Sequence, residues 1–373
     1  MKKIGREVCF LHTSEEVSRN GEGAFARLND GRIMYAYTEY AGQGYGDGDP
    51  AHITAIFSND EGETWGGKRI LVDRNPEDKN IMSVSFLRLK DGKLAMFFLR
   101  KTGPDCRLNM VTSEDEGETW SEATVCCAPG FHVVNNDRVV RLQNGEIIFP
   151  ANVHNDPNNR KVSQQCYYVS ADEGKTWSMR GGLVKHPFPN TSSGLQEGGL
   201  YQYDSGLLWG WARTRSGSQF MMFSKDNGEN WTTPCGSEVF TGPCAPLQVK
   251  RVGPYTVAIY NPKPQYFGWK EVKPLQVSTL RNRSPFLCLV SRDGAKSFNE
   301  AYLLEDDPAN DYCYPAILEG EDYFLVAYYH SGDTGVCLSN CKILKVMYSE
   351  LEGGWENPLV RPPFVFEGTE YYI

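Results

Sequence analysis

The sequence predicts an all-β protein, a six-bladed β-propeller, on three observations. One octet is written four times, as Ser58-Asn59-Asp60-Glu61-Gly62-Glu63-Thr64-Trp65, Ser113 to Trp120, Ser170 to Trp177 and Ser224 to Trp231, with a worn fifth copy from Ser291 to Phe298. Steps of 55, 57 and 54 residues separate the four Trp residues and 67 more reach Phe298, so one supersecondary unit is repeated. Upstream of the octets a second pattern recurs, Phe25 to Gly31, Phe86 to Gly92, Val139 to Gly145 and, more weakly, Leu200 to Gly206, in which Asp-Gly or Asn-Gly separates short apolar runs. Composition agrees, with 37 Gly and 12% aromatic residues in a chain of 373.

The octet has the chemistry of a tight hairpin. The Asp carboxylate turns back onto backbone N–H groups, the Gly supplies a positive φ, and the Ser hydroxyl adds a local hydrogen bond. The Trp then enters the next strand and buries its ring. The carboxylates are too few per turn for a calcium loop, and the Glu beside each Asp reads as a solvated neighbour. Each unit is therefore strand, tight hairpin, strand, link, strand, octet hairpin, strand. Four antiparallel strands in about 55 residues is a propeller blade. The last unit runs from Tyr314 to Trp355, its octet decayed to Tyr348 through Trp355, which makes six. No Pro/Ser-rich linker divides the chain, so residues 1–373 are expected to be a single domain.

A net charge of −9 argues against nucleic acid or an anionic membrane as partner. No apolar run approaches the roughly 18 residues of a spanning helix, and no apolar stretch follows Lys2-Lys3 as in a signal peptide. The eleven cysteines include the adjacent Cys126-Cys127, poor arithmetic for a disulfide framework, and Cys313, Cys337 and Cys341 lack the partners of a zinc set. The expectation is a cytoplasmic protein with reduced thiols, no metal and no cofactor.

Residues at the starts of the innermost strands of a propeller face a shared central pocket. Nine residues before each hairpin Gly, or before Tyr323 in the last unit, stand Glu22, Ser83, Asn136, Glu197 and Tyr314. Seven residues after it stand Thr38, Leu99, Asn152, Arg213 and His330. Polar side chains at these otherwise apolar places are what a binding site requires.

The octets resemble the Asp-boxes of sialidases and sialidase-like BNR-repeat proteins, and the resemblance covers nearly all of the chain. It implies a retaining glycosidase with a Tyr nucleophile, a Glu that takes the Tyr proton, an Asp acid/base and three Arg that hold a substrate carboxylate. The chemistry is coherent: a phenol titrates near 10 and needs an adjacent carboxylate to attack, and guanidinium forks match a carboxylate. Gln196-Glu197-Gly198-Gly199 is similar to the family's Glu-bearing strand, so Glu197 is the implied base. Arg213 in Trp211-Ala212-Arg213 and Arg283 in Asn282-Arg283-Ser284-Pro285 resemble two of the carboxylate-binding arginines. Tyr314-Pro315-Ala316-Ile317 resembles the nucleophile strand, with Tyr312 two residues away as the alternative. For the acid/base, the loop Glu39 to Pro50 offers Asp49, with Asp47 second.

The chain departs from that pattern at one corner. Gly21-Glu22-Gly23 stands where an Arg-Ile-Pro motif is expected, and His330 stands where the resemblance implies a Glu bracing that Arg. Joint loss of both partners is consistent with an altered pocket, and Arg19, Arg100 or Arg107 are the substitutes available. In the third unit, Asn135-Asn136-Asp137-Arg138 and the run from Pro150 through Asn152 to His154 read equally as a wall for sugar hydroxyls or as a hydrogen-bond network pinning the blade. Tyr266, Phe267 and Trp269 could stack on sugar rings or cover the core. The function implied is a sialidase-like exo-glycoside hydrolase acting on a terminal acidic sugar of a glycan. A glycosidase of different sugar specificity and a non-catalytic glycan-binding propeller are the alternatives.

Overall fold

The computed structural model of the protein describes residues 1–154, 162–263, 283–334, 336, 338–356, 364–366 and 369–371. Among these, six antiparallel sheets of four or five strands follow one another, each touching the next around a ring, and the first touches the last. The protein is a six-bladed β-propeller. Blade one runs Val17–Arg27, Ile33–Ala41, Ala51–Ser58 and Gly66–Val72 from the axis outward. The innermost strands of blades two, four, five and six are Asn80–Arg88, Gln196–Gln202, Gln248–Val252 and Tyr312–Glu319. In blade three the innermost strand is interrupted: His132–Val133 and Val140–Arg141 flank the polar run Asn135 to Arg138.

The octets form the expected turns. Ser58 Oγ donates to Asp60 Oδ1 (2.7 Å) and accepts from the Gly62 N–H (2.9 Å), while Asp60 accepts from the Thr64 N–H (2.9 Å) and hydroxyl (2.6 Å). The same bonds recur at Asp115, Asp172, Asp226 and Asp293. Each Trp then reaches back to the preceding blade: Trp177 packs on Phe97 of blade two and Trp231 stacks on Tyr167 of blade three, 4.1 Å between ring centroids. The neighbouring Glu is not merely solvated. Glu61, Glu116 and Glu173 each pair with the Arg that precedes the hairpin of their own blade, Arg27, Arg88 and Arg141. The two repeated patterns are thereby tied together, because the hairpin and the octet turn lie side by side at one end of the blade.

These turns set an acid limit to stability. Hydrogen bonds from Thr64 and Ser58 hold the Asp60 carboxyl down at about 2, and Asp115, Asp172 and Asp226 are lowered to about 2 in the same way. An unfolded Asp titrates near 3.9, so this stabilisation is complete above that pH and is lost as pH falls from about 4 towards 2. Urea melts at pH 5 and pH 2.5 are expected to show the drop. A variant with all four changed to Asn is expected to show a shallower one, and an unchanged slope would count against the turns as its source.

The ring closes in a way the repeats do not announce. The strand Arg6–Leu11 pairs antiparallel with Asn340–Met347 as the outermost strand of blade six, Arg6 opposite Lys345 and Leu11 opposite Cys341. Trp355, expected to end the last blade, instead joins Trp355–Glu356 to Glu300–Glu305 at the outer edge of blade five. The N-terminal strand has taken the place that the decayed octet left open.

Candidate functional site

The pocket is organised by a repeated backbone irregularity. In blades one, two, four and six the pairing of the two innermost strands slips, between Gly21 and Ala24, Met82 and Ser85, Gln196 and Gly199, and Cys313 and Ala316. At each slip one non-glycine residue takes a left-handed conformation: Glu22 (φ 52°), Ser83 (61°), Glu197 (44°) and Tyr314 (58°). Such bulges re-aim a side chain and cost about 1–3 kcal/mol each, sustained only where surrounding structure enforces them. In blade three the left-handed residue is Asp137 (φ 56°), one place after the expected Asn136. The slip at Glu22 also needs glycines on both sides. A Cβ on Gly21 would lie 2.4 Å from the Tyr329 ring, and one on Gly23 2.5 Å from the Ala36 carbonyl oxygen.

Tyr314 and Glu197 meet across the pocket. The phenol donates to Glu197 Oε1 at 2.8 Å, and Glu197 Oε2 lies 2.7 Å from Arg213 Nη1. Arg213 Nη1 also reaches the phenol oxygen at 3.4 Å, and Gln196 Oε1 accepts from Nη2 at 2.8 Å. Asn152 Oδ1 accepts the Glu197 N–H at 2.8 Å and so fixes the bulge. Arg283, 1% exposed, lies with its guanidinium 5.6 Å from the Tyr314 ring centre, held by the Cys313 sulfur (2.9 Å) and the Cys244 carbonyl (3.0 Å). Desolvation and the Glu197 charge push the Tyr314 phenol well above its ordinary range, against the pull of Arg213 and Arg283.

Beside this pair lies the corner where the sequence is edited. Arg19 is fully buried and is the substitute cation that turns inward. It donates to Asp47 Oδ1 (2.8 Å), the Tyr45 carbonyl (3.2 Å), Glu22 Oε1 (3.2 Å) and the Tyr329 hydroxyl (3.3 Å), and lies 4.1 Å from the centre of the Tyr40 ring. Glu22 Oε2 accepts from Ser83 Oγ at 2.5 Å. Arg100 and Arg107 pair instead with Asp78 and Asp105.

The remaining candidates divide. Asp47 meets Arg19, whereas Asp49 Oδ2 accepts the Gly46 N–H at 2.7 Å and closes its own loop. Tyr312 belongs to the core between blades five and six, stacked on Phe286 with its hydroxyl on the Asp307 carbonyl. The slip after Cys313 is what separates it from Tyr314. His330 packs on Tyr312 and accepts the Gly332 N–H, and burial lowers its pKa. Asp137 binds Lys250 Nζ (2.9 Å), Gln248 Nε2 (3.0 Å) and the Ile317 N–H (3.0 Å), tying blade three to blades five and six. Asn136 Nδ2 bridges the carbonyls of Gly23 (2.8 Å) and Tyr314 (3.4 Å). These bonds make the third-blade run a network across the axis. His154 lies 3.3 Å from Asn152 Nδ2 and edge-on to Phe131. Tyr266, Phe267, Trp269 and Cys337 lie outside the described residues. Tyr329 and Tyr40 also meet Arg19, and nothing in their local sequence distinguishes a pocket-facing position from a core one.

The family model of the BNR repeat-like domain matches residues 27–330. The chain belongs to this family. As a BNR repeat-like protein it is 23% identical over 242 residues to a sialidase of Paraclostridium sordellii, and 24% identical over 243 residues to one of Clostridium perfringens, each match covering 58% of this chain. The matches span 58% and 61% of those two relatives. Among solved structures, the leech intramolecular trans-sialidase superposes with a TM-score of 0.71 at 13% identity, over 95% of this chain and 71% of that one. Among the described residues, no helix is long and apolar enough to cross a membrane.

Proposed function

We propose that this BNR repeat-like protein is a retaining exo-glycoside hydrolase that removes a terminal acidic sugar from a glycan. The observation that carries the reading is the Tyr314 hydroxyl donating to Glu197 at 2.8 Å, with Arg213 braced against the same carboxylate. Tyr314 rests as the neutral phenol, since desolvation disfavours its anion. As positive charge develops at the anomeric carbon, the proton moves to Glu197 and the phenol oxygen attacks, with Arg213 and Arg283 stabilising the anionic character of the oxygen. The same two guanidiniums give the pocket the positive field that suits a carboxylate-bearing sugar. A phenol nucleophile also spares that sugar the repulsion of an attacking carboxylate.

The test is release of 4-methylumbelliferone from its α-sialoside by the purified protein. Turnover is the expected result. Its absence on this and on a panel of other α-glycosides of acidic sugars would overturn the catalytic reading in favour of glycan binding alone.

A further inference from the structure

We propose that Glu22 is the general acid/base of this site, the carboxyl that protonates the leaving oxygen and then deprotonates the incoming water. The inference rests on the glycoside hydrolase reading above and identifies the group that reading leaves open.

The geometry is that of a third bulge residue aimed at the same pocket as Tyr314 and Glu197. Glu22 sits one blade from Tyr314, and Asn136 Nδ2 clasps the Gly23 and Tyr314 carbonyls together, so the two bulges are held side by side. The Tyr329 ring bridges them as well: its hydroxyl accepts from Arg19, and its face meets the Tyr314 ring edge-on at 5.9 Å. The charged and titratable groups facing Glu22 are Arg19 and Asp47 of its own blade, with Glu197 across the pocket. Tyr314 and Tyr329 of blade six and Tyr40 of blade one complete its surroundings.

Two carboxyls share one guanidinium here, and the arrangement sorts them. Asp47 takes the shorter contact with Arg19, 2.8 Å against 3.2 Å, and its side chain is 67% exposed. Although the surrounding walls partly desolvate it, Arg19 holds its pKa below the usual carboxylate range, so it stays ionised and is a poor proton donor. Glu22 is 5% exposed, and burial raises its pKa to about 7 against the pull of Arg19. A carboxyl that keeps its proton near neutral pH is suited to donate it, and neighbouring carboxyls driven apart in pKa mark such assignments. Asp49 is committed to the Gly46 N–H.

The steps balance. The Tyr314 oxygen bonds to the anomeric carbon while its proton passes to Glu197. The bond from that carbon to the leaving oxygen breaks, and Glu22 gives that oxygen its proton. Water then adds to the anomeric carbon and loses a proton to the Glu22 carboxylate. The bond to Tyr314 breaks, and the phenolate recovers its proton from Glu197.

Glu22→Gln, Glu22→Asp and Asp47→Asn are to be compared with the unchanged protein on two substrates: sialyllactose, whose leaving alcohol needs a proton, and an aryl α-sialoside, whose leaving phenolate does not. Glu22→Gln is expected to lose on the order of 10²–10⁴-fold in kcat/KM on sialyllactose. On the aryl substrate the first, bond-breaking step should be spared, with a loss under about tenfold in kcat/KM. That retained turnover also shows that the variant folds, and Glu22→Asp should recover part of the sialyllactose rate. The unchanged protein should lose kcat/KM as pH rises through about 7, because the acid must be protonated, and Glu22→Gln should lose this alkaline limb. Equal losses on both substrates, or a split shown by Asp47→Asn and not by Glu22→Gln, would overturn the assignment. Failure of the unchanged protein on both substrates and on the panel of other acidic α-glycosides would overturn the hydrolase reading and this one with it.

Discussion

Tyr314→Phe is expected to abolish turnover of an aryl α-sialoside, with a loss on the order of 10⁴-fold or more, while the protein stays folded. Phe removes the oxygen that attacks in the proposed mechanism and leaves the ring beneath which Arg283 sits and against which Tyr329 packs. Glu197→Gln should lose on the order of 10²–10⁴-fold, since the amide keeps a hydrogen-bonding oxygen for Tyr314 and cannot take its proton. It also strips Arg213 of its carboxylate partner, so its melting temperature should fall while that of Tyr314→Phe holds nearly steady. Because the two side chains act as one unit, the double variant should be scarcely slower than Tyr314→Phe alone. Full turnover in Tyr314→Phe would show that another group attacks the sugar.

Removing residues 1–12 is expected to cost at least about 5 kcal/mol of stability. Those residues supply the outermost strand of blade six, and Ile4, 1% exposed, lies in the cluster between blades five and six. The Ile4 N–H also donates to the Leu303 carbonyl at 3.0 Å, so the same segment latches onto blade five. Without it, Asn340–Met347 becomes an open edge with an unpaired row of backbone groups, which invites association. Ile4→Ala alone should cost about 2–4 kcal/mol. Chemical denaturation and light scattering would measure both effects, and a shortened chain that melts like the full one would refute the closure argument.

The blades were legible because their signals are local. Ser58, Asp60, Gly62 and Thr64 satisfy one another within eight residues, so the turn can be read wherever the octet is spelt. The counting rule from the hairpin Gly also works, since two strands joined by a tight turn keep register: it lands on the left-handed residue at Glu22, Ser83, Glu197 and Tyr314. It misses by one at Asp137, where the innermost strand of blade three is interrupted.

By itself the sequence determined the propeller, its blade count and, outside the interrupted strand of blade three, the residues offered to the axis, since each depends on hydrogen bonds and hydrophobic alternation within some 55 residues. Only the tertiary structure decided how those residues combine. It chose Tyr314 over Tyr312, because a slip in strand pairing turns one ring to the pocket and leaves the other in the core. Arg19 and not Arg100 or Arg107 became the buried cation, because Asp47, Glu22 and Tyr329 converge on it. The N-terminal strand closed the ring because the outer edge of blade six needed a partner and residues 6–11 were near enough to supply it. Each outcome turns on pairings across tens to hundreds of residues, which local propensity does not encode and the packing of six blades around one axis does.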